Sequence, residues 1–441
     1  MKLERRLKLA EVSYKANVKV EMSMKKLRTI VIIYSLLLAN FGSNAKNYQV
    51  EEGEYLLGNP AYPAICYSGH RLVPRSVENS PSVEETKEDL RILHAMGIKL
   101  IRTYNTSIYP HSERILQSIR ELKTEDDAFE MYVMMGVWIQ CKNAYEDETD
   151  HNLEDRILNR REIETAIRLA DEYADIVKIV AVGNEAMVTW QAHFVPAYTI
   201  LKYVRELRVA QANEEFPADT LITTSDNWAA LGGEEQYRSD DLKALMQEID
   251  YLSLHTYAFH DTYWNLDLLW GPLPEEVKDS REARIAKAVE RSIAEQHKQV
   301  IAVEDYLRSI GVEKEIHIGE TGWASLDNEK FSAEGTAAAY EYTSKVFYDA
   351  VMKWVAEEKM TCCYFEAFDE PWKSEGTAGS EGHFGLITVD GQAKYMLWEQ
   401  VDQGVFNGLT RGGNRIKKTY AGNLTKLMQN LKAPVHYKKN M

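Results

Sequence analysis

Residues 177–185 read Val-Lys-Ile-Val-Ala-Val-Gly-Asn-Glu, and residues 316–323 read Ile-His-Ile-Gly-Glu-Thr-Gly-Trp. Each is an apolar run that breaks at a glycine and ends on a glutamate. Short runs that are apolar throughout suit strands covered on both faces, as in a parallel sheet clothed in helices. Working outward, six further strand candidates occur, several of the full set apolar throughout: Ala64–Tyr67, Ile98–Arg102, Met131–Trp138, Leu221–Thr224, Tyr251–His255 and Cys362–Phe365. With Val177–Val182 and Ile316–Ile318 they make eight predicted strands. Between them lie helical patterns. Ser82-Val83-Glu84-Glu85 is a capping box, Ile163, Ala166, Ile167, Ala170 and Ala174 form a one-sided stripe, and long helical patterns cover Glu282–Ile310 and Ala333–Glu357. Eight strands alternating with about eight helices predict a single α/β domain, a (β/α)8 TIM barrel. A doubly wound sheet is the alternative, but no Gly-x-Gly-x-x-Gly follows the first strand.

The chain has 441 residues, 45% hydrophobic and 27% charged, a globular composition. A mean hydropathy of −0.41 excludes a polytopic membrane protein. The net charge of −16 is uneven: residues 1–46 carry +7 and residues 411–441 carry +8, which leaves −31 for the middle. So acidic a body repels phosphate backbones, so nucleic acid is excluded as a partner and a neutral ligand is favoured. The four cysteines follow no zinc or disulfide spacing and read as small buried hydrophobes.

Three segments are expected. Lys25-Lys26-Leu27-Arg28, the apolar run Ile30–Ala39 and the small residues Ser43-Asn44-Ala45 read as an export signal within residues 1–45, with residues 1–23 possible upstream sequence before a start at Met22 or Met24. Residues 46–410 hold the barrel. Residues 411–441 form a short basic tail, either a docking helix on the acidic body through Leu424, Leu427 and Leu431 or a solvated end. The expected mature protein is an exported monomer (periplasmic, cell-surface or secreted) with no membrane span once the signal is removed.

Barrel active sites sit at the C-terminal ends of strands. Glu185 ends strand four and Glu320 ends strand seven, roughly across the barrel, so both carboxylates can face one space. A carboxylate at the tip of an apolar strand is costly to desolvate without a purpose. Two opposed carboxylates with aromatics nearby suit glycoside hydrolysis, in which one protonates the leaving oxygen and the other handles the anomeric carbon. The strand ends also bear His70, His255 and His260, scattered and without a ligand cluster, so no metal and no cofactor is expected. Sugar rings have apolar faces and want aromatic platforms. Trp138, Trp228, Trp323 and Trp372 lie at or past strand ends, and Tyr263, Trp264 and Trp270 follow strand six.

Gly183-Asn184-Glu185 together with Gly319-Glu320-Thr321-Gly322-Trp323 resembles glycoside hydrolase family seventeen, the β-1,3-glucanase family of the retaining (β/α)8 clan. Arg102-Thr103-Tyr104, Tyr257, Phe368-Asp369-Glu370-Pro371-Trp372-Lys373 and Phe384-Gly385-Leu386 extend the resemblance over residues 60–400. The aromatic-rich insertion His260–Pro274 and the long helix before strand seven depart from the family pattern. The resemblance implies Glu185 as acid/base, Glu320 as nucleophile, and Asn184, Arg102, Tyr104, Tyr257, Trp323, Glu370 and Lys373 as substrate-binding residues. For Glu370 and Lys373 a plain structural ion pair is the alternative. It also implies a β-glucan polysaccharide or oligosaccharide such as laminarin as substrate, cleaved by retaining double displacement. A β-1,3-glucanosyltransferase would use the same residues, and a non-catalytic glucan-binding barrel is a third reading.

Overall fold

The computed structural model describes residues 47–436 except 52–53, 266 and 377. The expected export segment lies outside the described residues. Eight strands form one closed barrel: β1 (Ala64–Cys66), β2 (Leu100–Arg102), β3 (Tyr132–Val137), β4 (Val177–Asn184), β5 (Leu221–Asn227), β6 (Leu252–His255), β7 (Ile316–Thr321) and β8 (Cys362–Tyr364). Each pairs in parallel with the next, and β8 returns to β1 through Cys363 opposite Ala64 and Tyr364 opposite Ile65. All eight expected strands are present. β1, β2, β6, β7 and β8 are buried at every position, as strands with helices outside and a filled barrel within must be.

The outer layer is α1 (Val83–Ala95), α2 (His111–Glu125), α3 (Arg156–Glu172), α4 (Ala197–Ala212), α5 (Asp240–Glu248), α6 (Ala258–Trp264), α7 (Arg281–Ser309) and α8 (Glu341–Glu357). The capping box forms as expected: Ser82 Oγ accepts from the Glu85 N–H, and the Glu85 carboxylate accepts from the Ser82 N–H at 2.9 Å. The insertion after β6 contributes α6. A hairpin of Cys141–Lys142 against Asp150–Glu154 follows β3. All four cysteines are free and buried.

One expectation is corrected, and one open alternative is decided. Helix α8 starts at Glu341, not Ala333, because the chain before it makes a compact turn: Thr336 N–H donates to the Lys330 carbonyl at 2.9 Å, and Ala337 has φ 56°. In this turn the Ala338 carbonyl accepts from Trp323 Nε1 at 2.9 Å as well as from the Tyr340 N–H at 3.0 Å. The described part of the basic tail is docked, not solvated. Arg411 is fully buried against Asp89, with Nε 2.9 Å from Oδ1. Leu427 and Leu431 are buried, and Arg281 donates to the Met428 and Leu431 carbonyls at 3.2 and 2.9 Å.

Candidate active site

Glu185 and Glu320 meet at the mouth of the barrel. β4 turns at Gly183 (φ 82°), and Glu185 itself takes φ 46°, a left-handed conformation that costs a non-glycine residue about 1–3 kcal/mol. Its neighbours hold it there. Glu185 N–H donates to the Ser225 carbonyl at 3.1 Å. The fully buried Asp226 carboxylate accepts from Met187 N–H and from Asn227 N–H, both at 2.8 Å. Across the barrel, Gly319 precedes Glu320 because a Cβ there would collide with the hydroxyls of Ser253 and Ser225.

Each carboxylate has its own partners. Arg102 NH1 pairs with Glu320 Oε1, and Arg102 NH2 donates to Asn184 Oδ1 at 2.6 Å. Tyr257 Oη donates to Glu320 Oε2 at 2.8 Å. Glu185 Oε2 accepts from Gln191 Nε2 at 2.9 Å. Between the two sits His255, fully buried, with Nδ1 3.2 Å from Glu185 Oε1 and 3.7 Å from Glu320 Oε2. Its Nε2 lies 2.7 Å from Ser225 Oγ. One oxygen from each glutamate and a nitrogen of His255 all lie within 4.8 Å of one another. A cation could be held by these three, but the Arg102 guanidinium already occupies the Glu320 carboxylate.

The electrostatics follow from these contacts. Burial alone would raise the Glu320 carboxyl, but the charges of His255 and Arg102, with hydrogen bonds from Arg102 and Tyr257, hold its pKa down to about 2. Asp226 goes the other way: burial pushes it up to about 8, against the N–H donors of Met187 and with the Glu185 charge adding to the rise.

Arg102 and Tyr257 thus bind Glu320, Asn184 is held by Arg102, and Tyr104 lies under the Arg102 guanidinium, 4.8 Å from it to the ring centroid. Glu370 and Lys373 pair at 2.7 Å, and Lys373 also reaches Glu366 at 3.3 Å. Burial opposes the Lys373 charge, but the two carboxylates hold its pKa above the ordinary value. Lys373 lies 4.0 Å over the Phe365 ring, which is 6.2 Å from Tyr257, so this cluster borders the pair without touching it.

The expected platform at Trp323 is corrected. Its ring is 0% exposed, packed against Phe347 at 4.8 Å and Trp270 at 5.2 Å. It is a core residue, because the turn at 331–339 closes over it. Trp270 is buried too, with Nε1 donating to the Thr336 carbonyl at 2.9 Å. Trp138, Trp228 and Trp372 are half-buried, and Trp264 is exposed. Sequence reasoning left out Gln191 and Asp226 and set His255 aside as a scattered histidine. For His255 a signal existed: it ends β6, two residues before Tyr257.

The BtgE/BtgC glycoside hydrolase domain matches residues 64–385, from β1 to just past β8. Among solved structures, an endo-laminarinase from Formosa Hel1_33_131 is 48% identical with a TM-score of 0.84, covering 88% of this chain and 98% of its own. A glycoside hydrolase family 17 β-1,3-glucanosyltransferase from Rhizomucor miehei shares the fold at 18% identity and TM-score 0.50, over 76% of this chain and 96% of its own. A glucan 1,3-beta-glucosidase of Arthroderma benhamiae is 26% identical over 274 residues, 60% of this chain and 70% of that protein. A probable glucan endo-1,3-beta-glucosidase btgC of Aspergillus clavatus is 25% identical over 335 residues, 73% of this chain, and the match spans 40% of that longer relative. The chain belongs to the BtgE/BtgC glycoside hydrolase domain family, and with it to glycoside hydrolase family seventeen.

Proposed function

We propose that this protein is an exported, monomeric, retaining endo-β-1,3-glucanase, with Glu320 as nucleophile and Glu185 as acid/base. The observation that carries the reading is the spacing of the two carboxylates, whose nearest oxygens lie within 4.8 Å. Retaining enzymes hold their carboxyl groups about 5–5.5 Å apart, whereas inverting enzymes need about 6.5–9.5 Å to admit a water. The endo-laminarinase likeness supports the linkage and the mode of cleavage. Export rests on the N-terminal sequence pattern. Among the described residues no helix is long and apolar enough to cross a membrane.

The roles follow from the partners. Glu320, ionised with its pKa near 2, attacks the anomeric carbon and forms a glycosyl ester. Glu185 gives its proton to the departing glycosidic oxygen, then takes one from the water that cleaves the ester. Asn184 turns Oδ1 to the guanidinium, which can only donate, so its NH2 is left for the sugar 2-hydroxyl. No cofactor enters this chemistry. A digest of laminarin, lichenan and cellulose with products resolved by length tests the reading. A ladder of intermediate laminari-oligosaccharides is expected from laminarin alone. Glucose as sole product would overturn endo action, chain-length redistribution without new reducing ends would indicate glucanosyl transfer, and binding without products would indicate a non-catalytic barrel.

A further inference from the structure

Two groups that hold Glu185 in place lead to aromatic residues: the Asn184 carbonyl, bound by His193, and Gln191, bound to the Glu185 carboxylate. On one side, the Asn184 carbonyl accepts from His193 Nε2 at 2.9 Å. That nitrogen must therefore bear the proton, leaving Nδ1 to accept from Tyr145 Oη at 2.8 Å. The His193 ring stacks on Trp138 (centroids 4.4 Å apart, 34° between planes) and on Tyr145 (5.8 Å, 26°). Tyr145 is 63% exposed at the hairpin after β3, with φ 69°. On the other side, Gln191, which holds Glu185 Oε2, is preceded by Trp190, 60% exposed. Exposed rings cost hydration unless something covers them; Trp138 and Tyr145 are fixed through His193, and Trp190 adjoins the residue that binds the Glu185 carboxylate.

We propose that Trp138, Tyr145 and Trp190 form the subsites for the sugar residues on the reducing side of the scissile bond. The proposal rests on Glu185 being the acid/base. That group protonates the oxygen of the departing sugar, so the departing sugar sits on its side of the pair, the side of β3 and β4, whereas Glu320 belongs to β7 opposite. The occupant is a neutral glucosyl chain whose ring faces are apolar, matching a tract of aromatic rings. Once the ester has formed, the same tract admits either water or an incoming sugar, so its hold on sugars governs the balance between hydrolysis and transfer.

The test is a cleavage map of laminarihexaose in 18O-labelled water, where label marks each newly made reducing end. Trp190→Ala and Tyr145→Ala remove one ring each from exposed positions, with Trp190→Tyr as the conservative control. The expected result is a fall in kcat/KM of about tenfold per lost ring, the equivalent of about 1.4 kcal/mol of stacking. Preferred cleavage should shift toward the reducing end, because fewer sugars gain from occupying that side, and Trp190→Tyr should restore the wild-type map. An unchanged map, or a shift toward the non-reducing end, overturns the proposal. The underlying reading fails separately: the anomeric configuration of azide products from Glu185→Ala reports the role of Glu185, and the ring variants are read without it.

Discussion

His255 Nδ1 lies 3.2 Å from Glu185 Oε1, and from that position the same nitrogen also faces Glu320 at 3.7 Å. Two carboxylates this close repel, and a shared hydrogen-bonding group between them relieves it. Burial opposes ionisation of Glu320, but His255 and Arg102 hold its pKa to about 2. A folded-state pKa depressed below the unfolded value of about 4.3 adds stability above that pH, which is lost as pH falls toward 2. His255→Asn should let the Glu320 pKa rise, so the drop in urea midpoint between pH 5 and pH 3 should be smaller than in wild type. Equal drops would remove His255 from the account.

The roles of the two glutamates separate by stereochemistry. With Glu185→Ala, an aryl β-glucoside bearing a good leaving group should still load Glu320, then stall for want of a base; azide should restore turnover and give the β-glycosyl azide. With Glu320→Gly, azide should attack from the opposite face and give the α-product. Swapped products would reverse the assignment.

Asp226 touches neither sugar nor nucleophile but anchors the turn that aims Glu185, through Met187 N–H and Asn227 N–H. Asp226→Asn keeps one acceptor oxygen and loses the other. A fall in kcat on laminarin of about tenfold or more is expected, with partial recovery by azide on the activated substrate, because the step impaired is the one Glu185 performs. A loss that azide leaves untouched would make Asp226 merely structural.

Trp323→Ala is expected to destabilise the fold by about 3–5 kcal/mol, the range for a large buried aromatic, since the fully buried ring and its bond to the Ala338 carbonyl are both lost. Denaturant unfolding measures this. A variant with unchanged stability and weak glucan binding would return Trp323 to the role of platform.

Glu185 and Glu320 were legible in the sequence because each follows an apolar run that can only be a covered strand, and barrel geometry then sends both tips to one face. Arg102 and Tyr257 were named through the resemblance to family seventeen, and the fold shows that both bind Glu320. The eight strands and the Ser82 capping box are likewise local matters: side-chain periodicity and a hydrogen bond spanning three residues determine them. Contacts that depend on closure were not legible. His255 reaches two glutamates from two other strands only because β6 lies next to β7 and one strand away from β4, and Asp226 serves Glu185 only because β5 pairs with β4 in a particular register. Trp323 looked like a platform at a strand end until the turn at 331–339 covered it. Whether the tail docks or is solvated was open until Arg411 found Asp89, 322 positions away along the chain. A sequence window carries its own periodicity, but which distant side chain fills or covers a given space is decided by packing of the whole barrel.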